Sequence, residues 1–353
     1  MMTVTPSTLA VALIAAVPWL LAWRDEYDRM PLPLLDGESP AVRRSGFVSV
    51  VHSAGTLRRV ADSRGPVHPG PVHIYYASTY DPEACTSHVV LLHGTGEHLD
   101  NFFTTVADEP ILRQSRGFED MSISDRFAAE GHCVTGFDLR GHGRSDVSPG
   151  PYTVALLAAD IHGAVAALFG ADARFHVYGH SVGFGAALSL GFNYPDSVIT
   201  VSGSGFTADR ATKEWKPWIF SRQAVVLGLG TRLMGLAGHA VIQCDPQGLL
   251  SKTMRQNDIR GVYHVAASWL QYNESDKLAT MRAPTLYLFP ALDTLAECQL
   301  EQFEAEVKAI PTARVVQFTE PADEASRYDH CMLFYRPAIY FAPIFQWLRE
   351  HPS

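Results

Sequence analysis

Gly179-His180-Ser181-Val182-Gly183 places a serine between two glycines in the pattern G-x-S-x-G, directly after the apolar run Phe175 to Tyr178 and before small and apolar residues at helical spacing. A serine hydroxyl is a poor nucleophile at neutral pH. It becomes an effective one when a neighbouring base takes its proton and an acid orients that base. A strand, a sharp turn and a helix would expose the hydroxyl at the tip of the turn, and flanking glycines remove the Cβ atoms that would collide where strand and helix cross. In a chain with 27 glycines this pentapeptide arises by chance roughly one time in ten. The weight therefore rests on the strand before it and the helix after it. The chemistry indicated is acyl transfer through a covalent intermediate.

Such a serine needs an acid and a histidine, which follow it in that order along the chain. Asp293 lies shortly after the apolar run Thr285 to Phe289, in the loop PALDTLAE, and is the expected acid. A helix N-cap is the other role that would suit it. Asp323 and Asp329 stand too close to the candidate base to come from a separate strand end. Of 15 histidines only His330 and His351 follow Asp293, and His351 sits beyond the last helix, which leaves His330 as the expected base. Two backbone N–H groups should face the developing oxyanion. These are expected on Val182, after the nucleophile, and on Thr95, in the loop His93-Gly94-Thr95-Gly96-Glu97-His98. Gly94 and Gly96 would let that loop approach a substrate. Gly94, His180 and Phe184 are the expected substrate-binding positions, whereas His93 and His142 read as structural histidines that hold their loops. No His, Asp and Glu group has metal-ligand spacing, and no dinucleotide fingerprint or phosphate loop is present, so neither metal nor cofactor is expected.

The elements that must position these residues alternate. Strand patterns occur at 47–53, 72–78, 88–92, 133–137, 175–178, 197–201, 285–289 and 314–318, and helical patterns at 153–169, after Ser181, near 296–309 and at 337–349. From residue 88 onward this predicts an α/β fold with a mostly parallel sheet and helices on both faces. The alternation breaks between 205 and 276, where Trp215, Trp218, Trp269 and the apolar run 224–242 suggest a helical cap. The expected organisation is an N-terminal apolar segment and linker (1–45), a core (46–204 and 277–353) and a cap (205–276).

The composition, 47% hydrophobic and 18% charged, is globular. A net charge of −9 without a basic run argues against nucleic acid as a partner. The five cysteines are scattered and form no C-x-x-C pair, so no disulfide or zinc site is expected, and a reducing, cytoplasmic location is favoured. Thr8 to Trp23 is almost wholly apolar but shorter than a spanning helix, and it lacks a basic n-region. Membrane association or export through residues 8–23 is weighed equally against an apolar helix packed on the domain.

HGTGEH at 93–98, FDLRGHGRSD at 137–146 and GHSVG at 179–183, followed by Asp293 and His330, resemble the α/β-hydrolase superfamily. Within it they resemble the monoacylglycerol lipase, lysophospholipase and serine aminopeptidase group, over about residues 72–350. The resemblance implies the α/β-hydrolase fold with a helical cap. It also implies a cofactor-free serine hydrolase that cleaves a lipid-like or other apolar carboxylic ester through an acyl-enzyme. Phe184 stands where the group usually has glycine, and residues 1–45 and the stretch near 104–120 have no counterpart in compact members. The same three side chains also serve C–C bond or amide hydrolysis and cofactor-free perhydrolysis, and a non-catalytic ligand-binding member of the fold is a further alternative.

Overall fold

The computed structural model describes residues 42–61, 66–103, 121–209, 256–269, 271–291, 293, 300–319 and 330–353. In chain order the elements are β1 (Arg44–Val50), α1 (Ala54–Val60), β2 (Val72–Ser78), β3 (Ser87–Leu92), α2 (Asp100–Phe103), α3 (Ile123–Ala129), β4 (His132–Phe137), α4 (Val154–Phe169), β5 (Phe175–His180), α5 (Val182–Asn193), β6 (Val198–Ser204), α6 (Ile259–Trp269), β7 (Thr285–Pro290), α7 (Leu300–Ala309), β8 (Ala313–Phe318), α8 (Met332–Tyr335) and α9 (Pro337–Glu350).

The strands form one eight-stranded sheet in the order β1-β2-β4-β3-β5-β6-β7-β8. The pairs β1–β2 and β2–β4 are antiparallel and the other five are parallel. The continuous apolar run of β3 reflects burial on both faces, and its side chains alternate between two cores. Val90 and Leu92 meet Leu157 of α4 and Leu188 of α5 in one core. Val89 and Leu91 meet Phe102 of α2, Phe127 of α3 and Phe341 of α9 in the other. The helix α4 begins where the Thr153 hydroxyl accepts the Leu156 N–H at 2.9 Å, and Gly170 caps its end. Strand order reverses between β3 and β5, and in open sheets of this kind sites form beyond the carboxyl ends of the strands at that point.

Three features differ from expectation. The turn-rich stretch after β1 contains α1, started by the Ser53 hydroxyl accepting Thr56 N–H at 3.1 Å. A disulfide joins Cys85 to Cys133, with Cα atoms 5.4 Å apart, where none is expected. Its half-cystines are 48 residues apart in sequence, but β3 and β4 pair in parallel with His88 opposite Cys133, which brings them together. The cysteine-based argument for a reducing compartment therefore fails. Finally, part of the segment assigned to a cap belongs to the main body: Val265 of α6 and Tyr272 lie in the core that holds α4 and α5. Just after β6, Asp209 bridges Asn273, and Glu274 N–H donates to Ala208 O at 2.8 Å. The apolar segment 8–23, the stretch 104–120 and the run 224–242 lie outside the described residues. Among the described residues no helix is long and apolar enough to cross a membrane.

Candidate active site

Ser181 sits between β5 and α5 with φ +54° and ψ −126°, and it is the only residue other than glycine with positive φ among those described. Such a conformation costs roughly 1–3 kcal/mol and persists only when its surroundings enforce it. Here Ser181 N–H donates to Ser204 O at 2.9 Å, and Ser181 O accepts Phe184 N–H at 2.8 Å. The two motif glycines permit the crossing. A Cβ on Gly179 would enter the backbone of Gly183 and Phe184, and one on Gly183 would meet the carbonyls of Leu92 and His93. The turn therefore presses against the end of β3, and Val182 begins the helix with a backbone N–H that has no intrahelical partner.

Asp293 follows β7, with its N–H on Pro290 O at 3.0 Å. His330 immediately precedes Cys331, the N-cap of α8. Although 37 residues separate them, His330 Nδ1 lies 3.1 and 3.0 Å from the two Asp293 carboxylate oxygens, and both side chains are buried. A proton on Nδ1 donates to the carboxylate and leaves Nε2 free to accept. The His330 ring lies against Gly205, where a Cβ would be 2.5 Å from Cε1. Gly205 follows Ser204, whose carbonyl holds Ser181 N–H, so the ring stands at the tip that carries the serine.

The loop after β3 forms the opposite wall. A Cβ on Gly94 would lie 3.1 Å from Ser181 Cβ and 2.7 Å from Glu97 Oε1. His93 accepts Leu139 N–H on Nε2 at 2.9 Å and donates from Nδ1 to Gly94 O at 2.8 Å, which assigns a neutral ring. Burial pushes its pKa down to about 4. His142 Nε2 accepts Gly96 N–H at 2.9 Å, and burial brings this ring to about 3. Both histidines thus hold loops, as expected of them. Thr95, between these anchors, is partly exposed, and its buried Oγ1 has no hydrogen-bond partner among the described residues.

Two expected substrate contacts have other surroundings. The Phe184 ring is fully buried, edge-to-face on Tyr287 at 5.3 Å and packed where a Cβ on Gly203 would otherwise stand. It fills the core behind the elbow because β6 carries glycine opposite it. His180 is also fully buried: Nδ1 lies 2.9 Å from Glu97 Oε1, and Nε2 lies 2.8 Å from His330 O. Neither side chain is available to a ligand.

Sequence reasoning missed two participants. Glu97 was visible only as a letter of the HGTGEH motif. Asn257 lay in a stretch without pattern, yet its amide donates to Gly96 O at 2.8 Å and Glu97 O at 3.1 Å and accepts Gly143 N–H at 2.5 Å. Among the described residues no three His, Cys, Asp or Glu side chains group to hold a metal ion. The arrangement offers a strained hydroxyl, an imidazole oriented by a carboxylate, and a hydrogen-bonded loop whose Gly94 comes close to the serine.

No curated protein sequence matches the chain. Its fold is similar to an esterase from Thermogutta terrifontis (TM-score 0.62, 19% identity, 87% of this chain and 100% of the other) and to the enol-lactonase from Burkholderia xenovorans (TM-score 0.59, 18% identity, 79% and 97%). It is also similar to a bacterial membrane phospholipase A described as a virulence factor (TM-score 0.55, 17% identity, 97% and 94%). The sequence profile of the Alpha/beta hydrolase family matches residues 89–342, more than half of the chain, and the strained serine elbow, the parallel sheet and this match together make the chain a member of that family.

Proposed function

We propose that the protein is a serine hydrolase that cleaves a carboxylic ester through an acyl-enzyme. The observation that carries this reading is the buried His330–Asp293 pair standing at the tip where Ser181 is held in a strained turn. His330 Nε2 takes the Ser181 proton as Oγ bonds to the ester carbonyl carbon. The carbonyl oxygen becomes an oxyanion, which accepts hydrogen bonds from the N–H groups of Val182 and Thr95. Asp293 stabilises and orients the imidazolium. Collapse of the intermediate breaks the bond to the leaving alcohol, which receives the proton from His330. Water, deprotonated by the same ring, then releases the acid and regenerates Ser181.

Esterase, enol-lactonase and phospholipase A names among proteins of the same fold favour ester cleavage over the C–C, amide or perhydrolytic alternatives. An apolar acyl group suits the apolar stretch 224–242 inserted after β6. The phospholipase likeness, which spans 97% of the chain, supports a lipid-like ester and membrane association through residues 8–23. The test of the reaction is Ser181→Ala with short p-nitrophenyl esters, alongside labelling by a fluorophosphonate. We expect the wild type to be labelled and the variant to lose both labelling and turnover, and full turnover by the variant would falsify the assignment. For the membrane, deletion of residues 1–24 should move the protein from pellet to supernatant, and an unchanged distribution would reject the anchor.

A further inference from the structure

His180 is buried between two acceptors. On one side the His330 carbonyl, which can only accept, lies 2.8 Å from Nε2, so Nε2 carries a proton. On the other side Glu97 Oε1 lies 2.9 Å from Nδ1, while Glu97 Oε2 accepts Gly94 N–H at 3.1 Å. A continuous chain of hydrogen bonds thus runs from the Gly94 N–H, through Glu97 and His180, to the backbone of the histidine assigned as base. Burial alone would raise the Glu97 carboxyl, but the adjacent imidazolium overrides it and holds it at about 2. Burial likewise opposes charge on His180, and Glu97 overcomes it and raises that ring. A buried ion pair is a costly way to fill space, since an apolar pair of similar volume is often as stable. What an apolar pair cannot supply is two directed bonds at opposite edges of one ring.

We propose that His180 is a positioning residue, protonated on both ring nitrogens, which with Glu97 ties the loop at Gly94 to the His330 backbone and so holds oxyanion donors and base at a fixed spacing about Ser181. The assignment rests on the hydrolase reading above. Each of the three parts comes from a different element: Gly94 and Glu97 follow β3, His180 ends β5, and His330 precedes α8. The rings of His180 and His330 are 4.6 Å apart, so any tilt of the first is passed directly to the second. An error of an ångström in such spacing can lower turnover about 10²-fold without weakening substrate binding.

The experiment compares kcat and KM for a p-nitrophenyl ester in the wild type, Glu97→Gln, His180→Gln and the double variant, with circular dichroism and melting recorded for each. In Glu97→Gln the amide oxygen can keep the Gly94 N–H, but its NH₂ then faces Nδ1, so that bond survives only if His180 sheds its Nδ1 proton and its charge. His180→Gln leaves the buried carboxylate without its cation and turns one carboxamide oxygen toward an acceptor. His180→Gln should lower kcat roughly 10- to 100-fold with KM within about threefold, and Glu97→Gln, which can re-form the bridge through a neutral ring, should lose less. In the double variant two carboxamides can rebuild the chain with the middle bond reversed, the NH₂ at position 97 donating to the amide oxygen at position 180, and kcat should recover about tenfold over His180→Gln. A folded His180→Gln with kcat near the wild-type value, or a double variant whose loss is the product of the singles, would overturn the proposal. A second measurement needs no variant. The ¹⁵N-histidine spectrum of the wild type at about pH 8, where an ordinary histidine is neutral, should contain one ring with both nitrogens protonated; its absence also overturns the proposal. Failure of the hydrolase reading is distinguishable, because it appears as a wild type inert to fluorophosphonate, whatever the spectrum shows.

Discussion

Ser181 and Phe184 are three residues apart, and opposite constraints act on them. The serine is strained and reaches the surface of the site; the phenylalanine is relaxed and buried beneath it. A large ring on the first turn of the helix suggests a specificity element when only the sequence is known. In the fold its volume is matched by Gly203 on β6 and by Tyr287 on β7. Phe184→Ala should therefore cost about 3–5 kcal/mol in urea unfolding, the range for removing a buried aromatic side chain. KM should stay near the wild-type value. A shifted KM at unchanged stability would restore Phe184 to the substrate pocket.

At the level of elements, the site depends on three loops held in register more than on any one helix. The loop after β3 is fastened to the RGHGRS loop after β4 through His93, His142 and Asn257. Asn257 arrives from the far side of the β6–β7 insertion, so the insertion helps to hold the loop after β3. Asn257→Ala strands the buried Gly96 and Glu97 carbonyls and the Gly143 N–H. Its expected cost is roughly 1–3 kcal/mol, the penalty for an unsatisfied buried polar group. Turnover should fall as well, because Thr95 lies between the anchors that loosen; a variant with lower stability but unchanged kcat would show that the loop keeps its geometry without this amide. The strands, by contrast, were legible in advance. All eight expected strands are present, with ends displaced by a few residues, because continuous apolar runs in the inner strands and β-branched runs at the edges leave a plain signature. The helix α1 was not legible, since its seven residues (Ala54–Val60) are too few for a periodic signal and its cap is a single serine.

For the whole molecule, acid should be the main destabilising condition. Burial holds His88, His142 and His176 at about 3 and His93 at about 4, against about 6.5 in an unfolded chain. Folded pKa values below the unfolded value mean that the unfolded state binds more protons as pH falls. The stabilisation is complete above about pH 6.5 and drains away toward pH 4, at up to about 1.4 kcal/mol per histidine per pH unit. Glu306 and Asp138 work in the opposite sense: burial raises them to about 7 and about 6, so their contribution fades as pH rises from the ordinary carboxyl range. Four groups outweigh two, and the urea midpoint should fall between about pH 6.5 and 4.5. A flat profile there would mean that these rings are charged or solvated in the fold. The Cys85–Cys133 bond closes a 48-residue span, worth about 4 kcal/mol in a chain-entropy treatment. Dithiothreitol, or Cys85→Ser with Cys133→Ser, should lower the urea midpoint accordingly without altering kcat, because the bond lies at the starts of β3 and β4, away from the carboxyl-end site.

The order of motifs along the chain, the glycines flanking Ser181 and the alternating apolar runs determined the fold class and singled out Ser181, Asp293 and His330, because these signals are local and periodic. Only the tertiary structure decided which side chains face one another. It joined Cys85 to Cys133 through strand pairing, set Phe184 into a recess left by a glycine on another strand, and drew Asn257 back to the loop after β3. It also placed Glu97 and His180 as a bridge between that loop and the His330 backbone. Long-range pairing of this kind follows from how the sheet and helices close on one another, and no spacing within a single stretch of sequence records it. The serine elbow could be read from five residues, whereas the network that holds it needed the whole fold.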